Sequence, residues 1–266
     1  YTSPTIIRAI YDAAAQFGFE NGKILEPSMG VGNFFGMLPE SMKDSQLTGV
    51  ELDSISGRIA RKLYPNADIK ITGYENTKFA DNSFDVAVGN VPFGDYSLHD
   101  KRYDKDHLLI HDYFFVKTLD KIRPGGIVAF VTSKGTLDKA NPAARRLMAE
   151  RADLLGAIRL PNTAFKANAG ASVTTDILFL QKKRDTPPEQ LPAWTETGKN
   201  ADGMELNNYF LQHPEMILGT MQEVTTQYGK DTACVPDPNV ELEDLLSAAV
   251  LHLGHENVFQ SNTLIE

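Results

Sequence analysis

The sequence has a single cysteine, Cys234, so no disulfide can form within it and no cysteine cluster can hold a metal; a reducing, cytoplasmic setting is expected. No apolar run approaches the roughly 20 residues that a membrane-spanning helix requires. No secretory leader is legible, because the first residues run straight into the helix-like "TSPTIIRAIYDAAAQFGF". The chain does not begin with Met, which fits one domain of something longer. Positive charge is scarce as well. Lys and Arg number 26 against 35 Asp and Glu, a net charge of −9, which argues against a free-standing nucleic-acid binder but leaves a local basic groove open. Arg145-Arg146 and Lys182-Lys183-Arg184 are small basic clusters that read as solvated surface. What is present, 266 residues of which 42% are hydrophobic, suffices for one sizeable core.

Along the first two thirds, strand-like and helix-like stretches alternate. "KILEPS", "LTGVELD", "ADIKITGYE", "FDVAVGN", "IVAFVTS", "LLGAIRLP" and "TTDILFLQKK" read as strands, while "PTIIRAIYDAAAQFG", "SISGRIARKLYP", "LLIHDYFFVKTLDKI" and "NPAARRLMAERA" carry helical spacing. The alternation implies right-handed βαβ units and a largely parallel sheet covered on both faces. The last two strands lack a helix between them and read as an antiparallel pair at one edge. "RPGG" after the third helix is a helix-end and turn signal. Beyond Arg184 a Pro- and Gly-rich stretch looks like a linker with Trp194 as a packing anchor, and "MELNNYFLQHPEMILG" and "VELEDLLSAAVLHLG" have helical patterns. The expected division is residues 1–184 as the main domain and 185–266 as linker and helical extension.

Two strand ends carry chemistry. After the first strand, "EPSMGVGNF" places Gly30 and Gly32 where backbone can approach a ligand, and Glu51 ends the second strand about twenty residues on, where a carboxylate can accept both hydroxyls of a ribose. A tight turn with a surface glutamate is the plainer alternative. A dinucleotide needs G-x-G-x-x-G, and here the last glycine, Gly36, comes one residue late. Glu26 ahead of the glycines would repel a pyrophosphate and suits an ammonium group, which favours S-adenosylmethionine over NAD.

The fourth strand ends in Asn90-Val91-Pro92-Phe93. An exocyclic base amine is a poor nucleophile because its lone pair is delocalised into the ring. The Asn90 side-chain oxygen and the backbone carbonyl of Val91 can accept its two hydrogens, favouring a tetrahedral nitrogen and aiming the lone pair at a methyl donor. Pro92 fixes the backbone and Phe93 can stack on a base taken out of the helix. No metal is needed. His111-Asp112 resembles an acid–base pair, but adjacent residues do not share a helix face, so surface or capping roles are expected.

Together these stretches resemble the N6-adenine DNA methyltransferases that use S-adenosylmethionine, especially the type I modification subunits, over residues 1 to about 184. The resemblance implies a Rossmann-like class I methyltransferase fold with a mostly parallel seven-stranded sheet, an antiparallel edge hairpin and here a small helical C-terminal extension. "YTSP" is similar to the Tyr-Thr-Pro motif that contacts the methionine part of the cofactor, with Ser3 inserted, so that role falls on Tyr1 with Thr2 or Ser3. "EPSMGVGNF" resembles the family's Asp-Pro-Ala-Cys-Gly-Ser-Gly-Asn-Phe, implying cofactor contacts from Glu26, Pro27, Ser28, Gly30, Gly32, Asn33 and Phe34. "GVELD" supplies Glu51 and Leu52, and "GYENTKF" supplies Glu75 and Asn76 for the cofactor's adenine. "NVPF" matches Asn-Pro-Pro-Phe/Tyr except at Val91, where a lost proline loosens the turn; Asn90 also borders the cofactor. Phe165 occupies the place of a phenylalanine that touches the flipped adenine, its other reading being a loop aromatic packed on the sheet.

The family usually carries a separate target-recognition region, and none is legible in the acidic residues after 184. Implied partners are therefore DNA and either further domains of a longer polypeptide, as in the helicase-linked methylases of phages and conjugative elements, or a separate specificity subunit. Two other readings stand beside the DNA enzyme: an amino methyltransferase acting on RNA or a protein glutamine, and a non-catalytic module that keeps the fold. A cytosine-C5 enzyme needs a thiolate after a proline, and Cys234 is far from any strand-four turn.

Overall fold

The computed structural model describes residues 1–165, 173–183, 188–254 and 259. Helix α1 (Pro4–Gln16) starts as its sequence dictates: the Ser3 side chain accepts from the Ile6 N–H, and Pro4 sits in the first turn, where its missing N–H costs nothing. Ile6, Ile7, Ile10 and Ala14 bury one face of it.

Strands β1 (Lys23–Glu26), β2 (Gln46–Glu51), β3 (Asp68–Ile71), β4 (Phe84–Asn90), β5 (Ile122–Ser133), β6 (Ala152–Arg159) and β7 (Thr175–Lys182) form one seven-stranded sheet in the order β3-β2-β1-β4-β5-β7-β6. Pairing is parallel from β3 to β5, and β7 runs antiparallel to both β5 and β6. The connections hold α2 (Asn33–Gly36), α3 (Ser54–Leu63), α4 (Ile110–Lys121), α5 (Gly135–Asp138) and α6 (Ala143–Arg151). From β1 the chain steps outward to β2 and β3; from β4 it steps the opposite way. Right-handed crossovers then put α3 and α4 on opposite faces, and the reversal opens a crevice at the carboxyl ends of β1 and β4. The mostly parallel sheet and the antiparallel edge are as the sequence implies.

Several details differ from the reading of the sequence. "RPGG" does not separate helix from strand. It is an irregular stretch within β5, between Ile122, opposite Phe84, and Ile127, opposite Val86. In the extension, "VELEDLLSAAVLHLG" does form a helix, α8 (Leu242–His252). The first half holds instead a hairpin of β8 (Thr197–Lys199) and β9 (Glu205–Asn207), then α7 (Asn208–Gln212), whose first turn is capped by the Asn207 side chain and which stops before Pro214. A second hairpin pairs β10 (Thr220–Thr226) with β11 (Gly229–Val235). Residue 184, where the two expected parts meet, lies outside the described residues. Trp194, Phe210, Met216, Leu246 and Val250 join the same hydrophobic core as the sheet. Asn207 Nδ2, fully buried, donates to the Leu137 and Trp194 carbonyls, both at 2.8 Å. The expected solvation of Arg145-Arg146 fails at Arg145. Its guanidinium is buried and donates to the Thr195 carbonyl at 2.8 Å, because residues 193–195 cover it.

Candidate active site

The crevice between β1 and β4 gathers the chemistry-bearing residues. Leu25 lies opposite Ala87, so the ends of the two strands stand side by side. Glu26 closes β1 with its carboxyl buried and its Oε2 without a hydrogen-bond partner among the described residues. Burial and, behind it, the charge of Glu51 hold the Glu26 carboxyl well above the usual carboxylate range. The hydroxyls of Tyr11 and Tyr64 are pushed up, chiefly by burial and then by the charge of Glu26. An orphaned buried carboxyl of this kind is a ready acceptor for a cation.

The turn that follows is left-handed at two glycines. Gly30 has φ of +57° and no heavy atom within 4 Å of where a Cβ would stand, so a space opens beside it. Gly32, at φ +92°, has the Tyr64 ring 2.5 Å from its would-be Cβ, so no larger residue fits. Glu51 fixes the turn from β2: its Oε2 accepts from the Gly30 N–H at 2.7 Å and its Oε1 from the Asp53 N–H at 2.9 Å. Each oxygen keeps a lone pair for a diol. Leu52, next in the chain, is 75% exposed. The orphaned carboxyl, the space at Gly30 and the exposed Leu52 together fit a group that is cationic at one end and carries a ribose and an aromatic base at the other. Pro27 is buried, Ser28 half-buried, and Phe34 is a core residue whose carbonyl accepts from the Tyr11 hydroxyl at 2.7 Å. Glu75 and Asn76 lie in a 3-10 turn just past β3, with Asn76 Nδ2 3.5 Å from Glu75 Oε1.

At the end of β4, Asn90 is half-buried and its Nδ2 donates to Thr2 Oγ1 at 3.2 Å. Tyr1, Thr2 and Asn33 line a cleft of ≈ 270 Å³ with Tyr64. Ser3 spends its hydroxyl capping α1. Val91 settles the question raised by the missing proline. Its N–H donates to the Val131 carbonyl at 3.0 Å, a bond proline cannot make, and its side chain is buried in the core. The strand ladder therefore holds the turn where a ring would otherwise do so. Pro92 is half-buried, and Phe93 is 41% exposed beyond it. Phe165 ends a turn after β6, packed against the core at the far edge of the sheet, and the residues after it, 166–172, lie outside the described ones.

His111 and Asp112 are buried, against the expectation of a surface pair. Asp112 is ion-paired to Lys139, which follows α5, and burial lowers the His111 pKa. The sequence also gave no sign of a larger cavity, ≈ 420 Å³, between Ser97, His99, Tyr103, Asp104, His107 and Tyr113; it needs the fold of the loop after Phe93 to exist. Among the described residues no group of three or more His, Cys, Asp or Glu is placed to hold a metal ion, and no helix is long and apolar enough to cross a membrane.

A family model described as N-6 DNA Methylase matches residues 1–223. Over 198 residues the chain is 33% identical to "Defense against restriction protein B" of Escherichia phage P1, a match that covers 72% of this chain and 9% of that protein. Modification methylase CviBIII of Paramecium bursaria Chlorella virus NC1A is 27% identical over 137 residues, 49% of this chain and 36% of the viral enzyme. The chain thus spans a minor part of these relatives. Among solved structures, a modification subunit of a putative type I restriction enzyme from Vibrio vulnificus YJ016 superposes with a TM-score of 0.59 at 15% identity, over 89% of this chain and 58% of that one. The M protein of the type I restriction enzyme EcoKI gives 0.55 at 14% identity, over 95% of this chain and 70% of that one. At these identities the structures show a shared fold.

Proposed function

Since the chain belongs to the N-6 DNA Methylase family, we propose that it is the methyltransferase domain of a longer protein, transferring a methyl group to the exocyclic N6 amine of an adenine in DNA. The observation that carries this reading is Asn90 at the end of β4, its amide tied to Thr2, beside the β1 turn that bears Glu26 and Gly30. S-adenosylmethionine, when bound, supplies an electrophilic methyl on a sulfonium. Glu26 takes the ammonium of the amino-acid end, with Tyr1 and Thr2 near its carboxylate. Glu51 accepts from the ribose hydroxyls, Leu52 packs on the adenine ring, and Glu75 or Asn76 reads its amino group. Pro27, Ser28, Gly30, Gly32 and Asn33 shape the turn, while Phe34 buttresses it from the core.

On the target side, Asn90 Oδ1 and the Val91 carbonyl accept the two amine hydrogens and turn the nitrogen lone pair outward. Phe93 stacks on the extruded base, and the resemblance alone assigns Phe165 to the same base. Partners are DNA and either the rest of the polypeptide or a separate specificity or helicase subunit, which supply sequence recognition.

Calorimetric titration with S-adenosylmethionine tests the site. Wild type binds, and Glu51→Ala binds about 10–100-fold more weakly, as expected for loss of charged hydrogen bonds worth about 1.5–3 kcal/mol. Transfer of labelled methyl to unmethylated DNA then tests the reaction. Failure of the wild-type chain to bind the cofactor would sink the enzyme reading in favour of a retained, non-catalytic frame.

Glu26→Gln separates binding from stability. The folded-state pKa of Glu26 is raised, so its contribution to stability is full below the ordinary carboxylate range and is lost as pH rises through the raised value. At pH 8, Glu26→Gln is therefore expected to melt about 2–4 °C higher than wild type, with no such gain at pH 4. The same substitution removes the charge that faces an ammonium and lowers cofactor affinity by about 10-fold or more. A melting temperature unchanged at pH 8 would show that Glu26 is not strained by burial.

A further inference from the structure

The contact between Thr2 and Asn90 joins residues 88 positions apart and has a chemical consequence. A carboxamide has two nearly isosteric ends, and a half-turn about its terminal bond exchanges an acceptor for a donor. Only Oδ1 can accept from a base amine; an Asn90 presenting NH₂ would meet the target with like dipoles and repel it. Something must choose between the two orientations. In this protein Nδ2 is the end that points at Thr2 Oγ1, 3.2 Å away, which leaves Oδ1 as the end turned away from Thr2. Thr2 is itself well held. It is 6% exposed, and the next residues are locked by the Ser3 cap, by the Ile7 N–H donating to the Ser3 carbonyl at 3.1 Å, and by the buried isoleucines of α1. Tyr11, one helix turn further on, anchors α1 to the Phe34 carbonyl.

We propose that Thr2 is a positioning residue for the amide of Asn90, selecting the orientation in which Oδ1 faces the target amine. The inference rests on the methyltransferase reading for its functional meaning. Thr2 need not touch the substrate; it acts by accepting a hydrogen bond. A hydroxyl can also donate, so the choice is firmest when its own proton is taken by an anion. A carboxylate at the end of the cleft lined by Tyr1, Thr2 and Asn33 would do this.

The test pairs Thr2→Val, which keeps the shape and removes the oxygen, with Thr2→Ser, which keeps the oxygen. Labelled-methyl transfer in single turnover and calorimetric titration with S-adenosylmethionine are measured on each. The Asn90 side-chain amide is followed by nitrogen–proton NMR in the free protein, assigned by its loss in Asn90→Ala. With cofactor raised to saturation, so that any lost contact to it is made up, Thr2→Val is expected to slow single-turnover transfer about 10-fold. Its Asn90 NH₂ signals shift and exchange faster with solvent, and Thr2→Ser restores rate and signals. The proposal is overturned if Thr2→Val weakens cofactor binding but leaves the rate at saturating cofactor unchanged, since Thr2 would then be a cofactor contact only. Asn90 signals that ignore the substitution would also overturn it. If wild type transfers no methyl at all, the functional reading falls, and the NMR comparison still decides whether Thr2 orients Asn90.

Discussion

Asn90→Ala is expected to slow methyl transfer to unmethylated DNA by about 10²–10³-fold, the loss typical of removing one preorganised polar partner from a transition state. The effect should fall on the chemical step. Alanine keeps the Cβ and the backbone, and the Val91 N–H still pairs with the Val131 carbonyl, so β4 ends where it did. Affinity for S-adenosylmethionine should fall far less than the rate, since Asn90 only borders the cofactor and Glu26, Gly30 and Glu51 are untouched. Asn90→Asp provides the contrast. It keeps an acceptor oxygen but gives up the donor to Thr2 and adds charge, so it should recover only part of the lost rate. Single-turnover transfer with saturating cofactor separates these cases. An Asn90→Ala protein that keeps more than about a tenth of the wild-type rate would move the catalytic centre away from the end of β4.

The second large effect concerns stability. Arg159, at the end of β6, is fully buried and grips Asp176 of β7 with two parallel hydrogen bonds, Nε to Oδ1 at 2.8 Å and Nη2 to Oδ2 at 2.9 Å. Its Nη1 reaches Asp138 of α5 at 2.7 Å, and its guanidinium lies 4.4 Å from the centre of the Phe210 ring. Asp138 in turn accepts from the Asn207 N–H at 2.9 Å. Burial works against the charge on Arg159, but the two carboxylates outweigh it and hold its pKa above the ordinary value. Asp176→Ala leaves a buried cation with one partner instead of two. The expected loss is about 3–5 kcal/mol, a fall in Tm of roughly 10 °C. Arg159→Lys keeps the charge but cannot bridge both carboxylates with a fork, so it should fall between wild type and Asp176→Ala. Denaturant titration checks both, and a loss below about 1 kcal/mol for Asp176→Ala would show that the network is dispensable.

How far the sequence reveals this molecule depends on which forces act locally. The seven strands and the antiparallel edge follow from hydrophobic runs and turn residues, and these were legible; the reversal of strand order between β1 and β4 is set by which strands pair and was not read from the sequence. Asn90-Val91-Pro92-Phe93 stood out in the sequence as a candidate, and the structure puts Asn90 at the end of β4 with Phe93 exposed beyond it. The extension was less legible. Strands β8 and β9 span three residues each, too short for a period, and along β10 and β11 only Met221, Ala233 and Cys234 are buried, so hardly any alternation is visible. Cys234 is buried with its thiol pushed up to about 12 by desolvation, and nothing in its neighbours' identities foretold this. Helix α4 was read correctly as a helix, and what the sequence did not show was the burial of its charged residues. Every residue from Ile110 to Lys121 is buried, including Asp112, Lys117, Asp120 and Lys121. Charged residues read as a solvent face until distant partners are known. Here Lys117 reaches the Tyr74 carbonyl at 2.8 Å and Asp100 at 3.0 Å, Arg151 meets Asp120 at 2.9 Å, and Lys121 meets Asp81 at 2.8 Å. The hydroxyl of Thr2 was placed near the cofactor by resemblance, and its bond to Asn90 became visible only once α1 and β4 stood together.

On the proposed assignment, the bond from Val91 to Val131 ties the placement of Asn90 to strand registration. Successive side chains on a strand point to opposite faces, so sliding β4 by one residue against β5 would carry Val91 into the crevice and turn Asn90 into the core. Such a slipped chain would still be compact, but it would offer a base only an aliphatic side chain. Where the proposed catalytic amide is carried by the sheet itself, choosing the correct pairing during folding and bringing that amide to the crevice are one event.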